Sequence, residues 1–269
     1  ARRYFSQVKS LPSSIKDVFD KEKASNSYRV FVLGGSSAAG YPYLPLGSFS
    51  RYIRKRLEIT FPDKKIEVVN LALTAVNSYT VLDLIPDVLE EQPDLILIYT
   101  GHNEYYGALG AGSMESFGKS RAVVNFILSI DHYKTVELVK DFLGYLMQMI
   151  DSKPKDGTLM ARMAEEKEIP LGSEIYDLGV NQFKGNMHDI LSLIKEKNVP
   201  VIISTLPSNL KDIKPFISKP YEDKPDADSI YKEALANYCE GNYIEADSLF
   251  QTAKDLDMLR FRAPSEFNG

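Results

Sequence analysis

Residues 28–33 read Tyr-Arg-Val-Phe-Val-Leu and then break into Gly34-Gly35-Ser36-Ser37-Ala38-Ala39-Gly40. A run of β-formers that ends in residues with almost no side chain predicts a buried parallel strand delivering a turn, where backbone amides and a hydroxyl can meet a ligand. A strand that is apolar on both faces needs helices on both faces, so this one stretch already favours an α/β layer arrangement. The rest of the chain is weighed by whether it converges on Ser36.

The pattern repeats. Residues 48–60 carry Phe49, Tyr52, Ile53, Leu57 and Ile59 at helical spacing, and residues 66–71 form a second apolar strand. A loop over 72–78 leads to a helix over 79–91, which Pro86 is expected to interrupt near its end. Residues 94–100 are a third strand running into Gly101-His102-Asn103-Glu104, residues 176–197 are helical, and 198–205 supply a fourth strand. Strands alternating with helices predict a parallel sheet with helices on each side, in the order 2-1-3-4.

Two regions interrupt the rhythm. About residues 108–173 form an insertion, read as a helical cap or as a hairpin on the sheet edge. Residues 229–257 place Ala234, Tyr238, Gly241, Tyr243, Ala246, Phe250 and Ala253 as a helix-turn-helix unit that resembles a single tetratricopeptide repeat and reads as a helical hairpin. The expected organisation is a lead-in over 1–27, an α/β domain over 28–220, and a hairpin with its following end over 221–269.

Composition sets limits. A net charge of -5 without a local Lys/Arg cluster argues against nucleic acid as a partner. Cys239 is the single cysteine, so no internal disulfide framework exists, and three scattered histidines make no structural zinc pattern. Ala1-Arg2-Arg3-Tyr4-Phe5 has neither an initiator Met nor a signal-peptide core, and residues 262–269 stop in loop-like sequence. The expectation is an excised piece, with any membrane contact and a fifth strand lying in segments outside it.

In an open parallel sheet the ligand lies beyond the carboxyl ends of the strands, where neighbouring strands send their helices to opposite faces. The turns at 34–40, 70–77 and 101–104 all lie at such ends. Ser36 can present its hydroxyl and its own N–H to a carbonyl, Asn103 can donate across the crevice, and the Ala75 N–H is the best placed donor from the second loop. Neither phosphate-binding glycine pattern is present, so a nucleotide site is disfavoured.

These blocks resemble the SGNH/GDSL hydrolases: residues 34–40 look like their first block, 70–75 their second and 101–104 their third. The resemblance spans roughly 28–107, with a weaker echo to Asn209. It implies a flavodoxin-like three-layer sandwich and ester hydrolysis through an acyl-enzyme intermediate, with no cofactor. Ser36 then matches the nucleophile and an N–H donor, Ala75 a second N–H donor, and Asn103 the side-chain donor. The substrate implied is a small-molecule or carbohydrate ester, an O-acetyl group among them. The compartment is not fixed by the residues, though the resemblance tilts toward a bacterial cell envelope or periplasm.

The chain departs from the family at four places. Gly35 stands where an acidic residue is usual, Ala75 where glycine is usual, and Glu104 where aspartate is usual. The family's Asp-x-x-His block, which supplies the general base, is absent from these residues. His102 reads as a wall or loop-packing residue, His188 as a helix-surface residue beside Asp189, and His132 as structural in the insertion. Tyr41, Tyr43, Tyr105 and Tyr106 read either as a wall of the site or as core edge. Two further readings stand beside hydrolysis: a scaffold that has lost the base and uses the hairpin to engage a protein partner, and acyl transfer.

Overall fold

The computed structural model describes residues 16–44, 46–107, 109–111, 121–130 and 168–268. Its centre is a four-stranded, all-parallel sheet built from β1 (Ser27–Gly34), β2 (Lys65–Asn70), β3 (Leu95–Tyr99) and β4 (Val201–Ile203), in the order β2-β1-β3-β4. In β1, Phe31 pairs with Val69 of β2 and with Ile96 of β3.

Side chains alternate across the sheet, and each face buries one set. Phe31, Leu33, Val69, Ile96 and Ile98 pack against helices α3 (Ser78–Glu90) and α5 (Glu174–Glu196), through Val81, Ile85, Val88, Phe183, Met187 and Ile190. Val30, Val32, Val68 and Leu97 face the short α1 (Ser36–Ala39) and α2 (Phe49–Thr60), through Ala38, Ala39, Phe49, Ile53 and Leu57. The result is a three-layer α/β sandwich. The helix after β1 lies on one face and those after β2 and β3 on the other, so the switch point falls between β1 and β3.

Arg29 is the exception to the apolar strand pattern. Its guanidinium is buried, donating to Glu67 Oε2 at 2.9 Å, to the Glu91 carbonyl at 2.7 Å and to the Asp20 carbonyl at 2.7 Å, and it lies 4.8 Å from the centre of the Phe19 ring. The strand keeps this charge inside because ion pair and hydrogen bonds together satisfy it.

Pro86 does not interrupt its helix: α3 runs through it unbroken. The proline is exposed, so the carbonyl that loses its partner can turn to water. Strand β4 is shorter than the apolar run 198–205 suggests, and it is the edge of the sheet among the described residues. Ile202 is 57% and Ile203 46% exposed there.

Of the insertion, α4 (Arg121–Ile130) is described, with Val124 and Leu128 in a cluster that also holds Tyr105, Tyr106 and Tyr176. The remaining predicted cap, with His132, lies outside the described residues. Helices α6 (Ala227–Cys239) and α7 (Tyr243–Leu256) form an antiparallel hairpin closed by Ala234, Ala246 and Phe250. After α7 the chain returns to the sandwich, and Phe267 stacks on Phe183 with ring centres 4.1 Å apart.

Candidate active site

Gly34 ends β1 at φ 152°, and a Cβ there would lie 2.0 Å from the Tyr99 carbonyl oxygen, so only glycine fits. The next residues do not form a plain glycine turn. Ser36–Ala39 make a single helical turn whose Ser36 carbonyl accepts from Gly40 N and Tyr41 N, both at 3.0 Å, before Gly40 stops it in the left-handed conformation. Ala38 and Ala39 are buried against the sheet, while Ser36 is half-buried and Ser37 exposed.

A buried amide secures this turn. Asn70, the last residue of β2, donates from Nδ2 to the Ala38 carbonyl at 2.8 Å, to Ser48 Oγ at 2.9 Å and to Ser50 Oγ at 3.0 Å, while its Oδ1 accepts from Ala72 N at 2.9 Å. One side chain thereby ties the Ser36 turn to the loop that follows β2. In that loop Ala75 has φ 59° and is 3% exposed. Alanine here holds a conformation that glycine adopts freely, at a cost of roughly 1–2 kcal/mol.

The third turn enters through Gly101 and is anchored by Glu104. This carboxyl is fully buried and accepts from Ser78 N at 3.1 Å, from Ser78 Oγ at 2.7 Å and from Gln182 Nε2. Burial pushes it up to about 7, against the pull of those three donors. Asn186 adds a bond to Ser78 Oγ at 2.8 Å, so the turn is fastened to α3 and α5 together.

Asn103 comes from this turn toward β1. Its Nδ2 lies 3.1 Å from the point that a Cβ on Gly35 would occupy. Ser36 and Asn103 both line one cavity of about 450 Å³ at the carboxyl ends of β1, β3 and β4, together with Ser37, Tyr99 and His102. Pro207, Ser208, Asn209, Ile213, Phe216, Phe261 and Arg262 complete its lining. Ala75 is not among the lining residues, although its neighbour Val76 places a carbonyl oxygen 3.8 Å from that same Gly35 position.

His102 is a wall of the cavity. Its Nε2 is 3.3 Å from the Tyr99 hydroxyl, and burial, with a smaller contribution from Lys254, pulls its pKa below the usual imidazole range. Both causes favour its neutral form. His188 is an exposed helix residue beside Asp189. Tyr105 and Tyr106 are buried core, and Tyr41 and Tyr43 are exposed without lining the cavity.

Most of this remaining lining leaves no signal in the local sequence. Residues 207–209 follow β4 and could have been found by the strand-end rule; Phe216, Phe261 and Arg262 carry no such signal, because long-range packing brings them in. Asp257 organises them, accepting from Phe216 N at 2.9 Å, Ile217 N at 3.0 Å, Leu259 N at 3.0 Å and an Arg262 terminal nitrogen at 2.9 Å. Among the described residues no group of three or more His, Cys, Asp or Glu could hold a metal ion, and no helix is long and apolar enough to cross a membrane.

No protein-family profile matches the chain, and no curated protein matches it. Solved structures similar to it include AlinE4, described as an SGNH-hydrolase family esterase, at 14% identity over 82% of this chain and 97% of that one, with a TM-score of 0.31. TesA is similar at 14% identity over 64% of this chain and 76% of that one, with a TM-score of 0.30. A variant of Axe2, an acetyl xylan esterase from Geobacillus stearothermophilus, is similar at 12% identity over 81% and 83%, with a TM-score of 0.29. Likeness at this level carries no argument about what the chain does.

Proposed function

We propose that the chain carries the nucleophile and oxyanion donors of a serine ester hydrolase. The observation that supports it is the meeting of Ser36 and Asn103 in one cavity at the switch point of a parallel sheet. Ser36 Oγ attacks the ester carbonyl carbon and loses its proton to a base. The tetrahedral intermediate then expels the alcohol, which leaves with a proton, and water attacks the acyl-serine in the second half. In the resemblance the base belongs to an Asp-x-x-His block that these 269 residues do not contain.

The negative charge of the intermediate is met by the Asn103 amide and the Ser36 N–H in this reading, and the Ala75 N–H, whose residue does not line the cavity, would add to them only by reaching in from the second loop. The substrate class proposed is an acyl ester of a small molecule or a carbohydrate. The experiment is fluorophosphonate labelling of the full-length protein. Covalent adduct on Ser36, abolished in Ser36→Ala, is the expected result. A folded full-length protein that takes no label supports the scaffold reading instead, in which the framework persists without its chemistry.

A further inference from the structure

The cavity lining mixes two chemistries: the polar Ser36, Ser37, His102 and Asn103, and the apolar Ile213, Phe216 and Phe261. Arg262 is the one formally charged side chain among the described residues that line it. Asp257, which balances that charge, does not line the cavity and is buried behind the wall.

Arg262 is also fixed in place. One terminal nitrogen donates to the Ile213 carbonyl at 2.9 Å, the other to Asp257 at 2.9 Å, and the guanidinium lies 5.5 Å from the centre of the Phe216 ring. Its side chain is 11% exposed. A guanidinium has five N–H groups, and each terminal nitrogen carries two; the two bonds to Ile213 and Asp257 leave a second N–H on each. Asp257 is meanwhile shared among three backbone N–H groups, so its charge is spread over several donors. A held cation with spare donors beside an apolar face is a preorganised receptor for an anion on an apolar body.

We propose that Arg262 forms an anion subsite in this cavity, so that the preferred ester carries a negative charge on an apolar or ring-shaped portion. This rests on the ester-hydrolase reading for its substrate, though not for the binding of the anion. The chemistry shared by a carboxylate and a phosphate suits the site, and a cationic ester is disfavoured by it.

The test compares three acetyl esters of one shape on the full-length protein: 4-acetoxybenzoate, 4-acetoxyphenyl phosphate and the neutral 4-acetoxybenzamide. The wild type is expected to favour the charged esters in kcat/KM. Arg262→Gln is expected to lower the charged-to-neutral ratio about tenfold to a hundredfold, as loss of a hydrogen bond to a charged group does, while Arg262→Lys retains part of it. The ratio is insensitive to partial unfolding, which scales all three rates alike. Preference between the two charged esters assigns carboxylate or phosphate. A ratio near one in the wild type, or one unmoved by Arg262→Gln, overturns the proposal. If Ser36 takes no fluorophosphonate and no ester is cleaved, the ester reading fails and calorimetric titration with 4-hydroxybenzoate and 4-hydroxybenzamide decides the subsite alone. Tighter binding of the benzoate, lost in Arg262→Gln, upholds it; equal binding overturns it.

Discussion

The Asn103 Nδ2 atom lies 3.1 Å from where a Cβ on Gly35 would be, closer than side chains ordinarily approach a Cβ. The absent side chain at Gly35 therefore sets where the amide stands. Gly35→Ala is expected to push the amide by a few tenths of an ångström and to slow fluorophosphonate labelling of Ser36 in the full-length protein about tenfold, with little change in melting temperature. Asn103→Ala should slow it more, by about a hundredfold or beyond, in keeping with roughly 3 kcal/mol for a lost oxyanion donor. Unchanged labelling in both variants would remove Asn103 from the chemistry.

Asn70 makes a second prediction, because its amide bonds to two loops and two serines at once. Asn70→Leu leaves the buried Ala72 N–H without an acceptor and takes one of two donors from the Ala38 carbonyl, which keeps Ser48 Oγ at 3.0 Å. A loss of about 2–3 kcal/mol is expected, read as a lower urea midpoint with the slope preserved. Asn70→Asp should still accept from Ala72 N but faces the Ala38 carbonyl with a like partial charge, so it should not rescue stability. Rescue by aspartate would mean that the Ala38 bond is dispensable.

Glu104 predicts a pH dependence. Its carboxyl titrates at 4.5 when unfolded and is raised to about 7 by burial in the fold. The folded state therefore holds the proton more tightly. The stability this gives is fully present below pH 4.5 and is lost as pH rises through 7, on the order of 3 kcal/mol in all. Other carboxylates pull the opposite way in acid, so the reading comes from the difference between the urea profiles of wild type and Glu104→Gln over pH 4.5–8. Parallel profiles would show that Glu104 ionises in the fold as it does in the open chain.

At the other end of the sheet, Arg29 and Glu67 form a buried pair. Arg29→Met leaves a carboxylate without its partner and should cost about 3–5 kcal/mol. The double variant Arg29→Met with Glu67→Leu should recover much of that loss in thermal denaturation, since both charges then go together. Labelling at Ser36 is expected to be untouched in the folded double variant, because the pair lies at the amino ends of the strands.

Much of this architecture could be read from local pattern. Strand β3 announces itself as an unbroken apolar run, and β1 and β2 can be read from apolar residues on both faces despite Arg29, Glu67 and Asn70. Ser36 and Asn103 follow from the strand-end rule. Where reading failed, a long-range partner decided the outcome. Arg29 breaks the apolar pattern, and only Glu67 and two carbonyls from elsewhere explain why it stays inside. The turn at Ser36–Ala39 is one helical turn, too short for any periodicity to reveal. Pro86 suggested a break that an exposed helix face did not require. Arg262 and Phe216 reach the cavity through Asp257, a residue whose role no neighbouring sequence discloses.

The edge strand has a practical consequence. Ile202 and Ile203 are consecutive, so they point to opposite faces, and both are exposed on a strand bonded on one side among the described residues. Such an edge is a template for another strand, and nothing charged in β4 discourages it. Solubility of this 269-residue chain should therefore be limited by three residues rather than by its core. Light scattering that climbs with concentration, and falls when Ile202→Lys places a charge on the edge, is the expected behaviour. A chain that stays monodisperse regardless would mean that the edge is already covered.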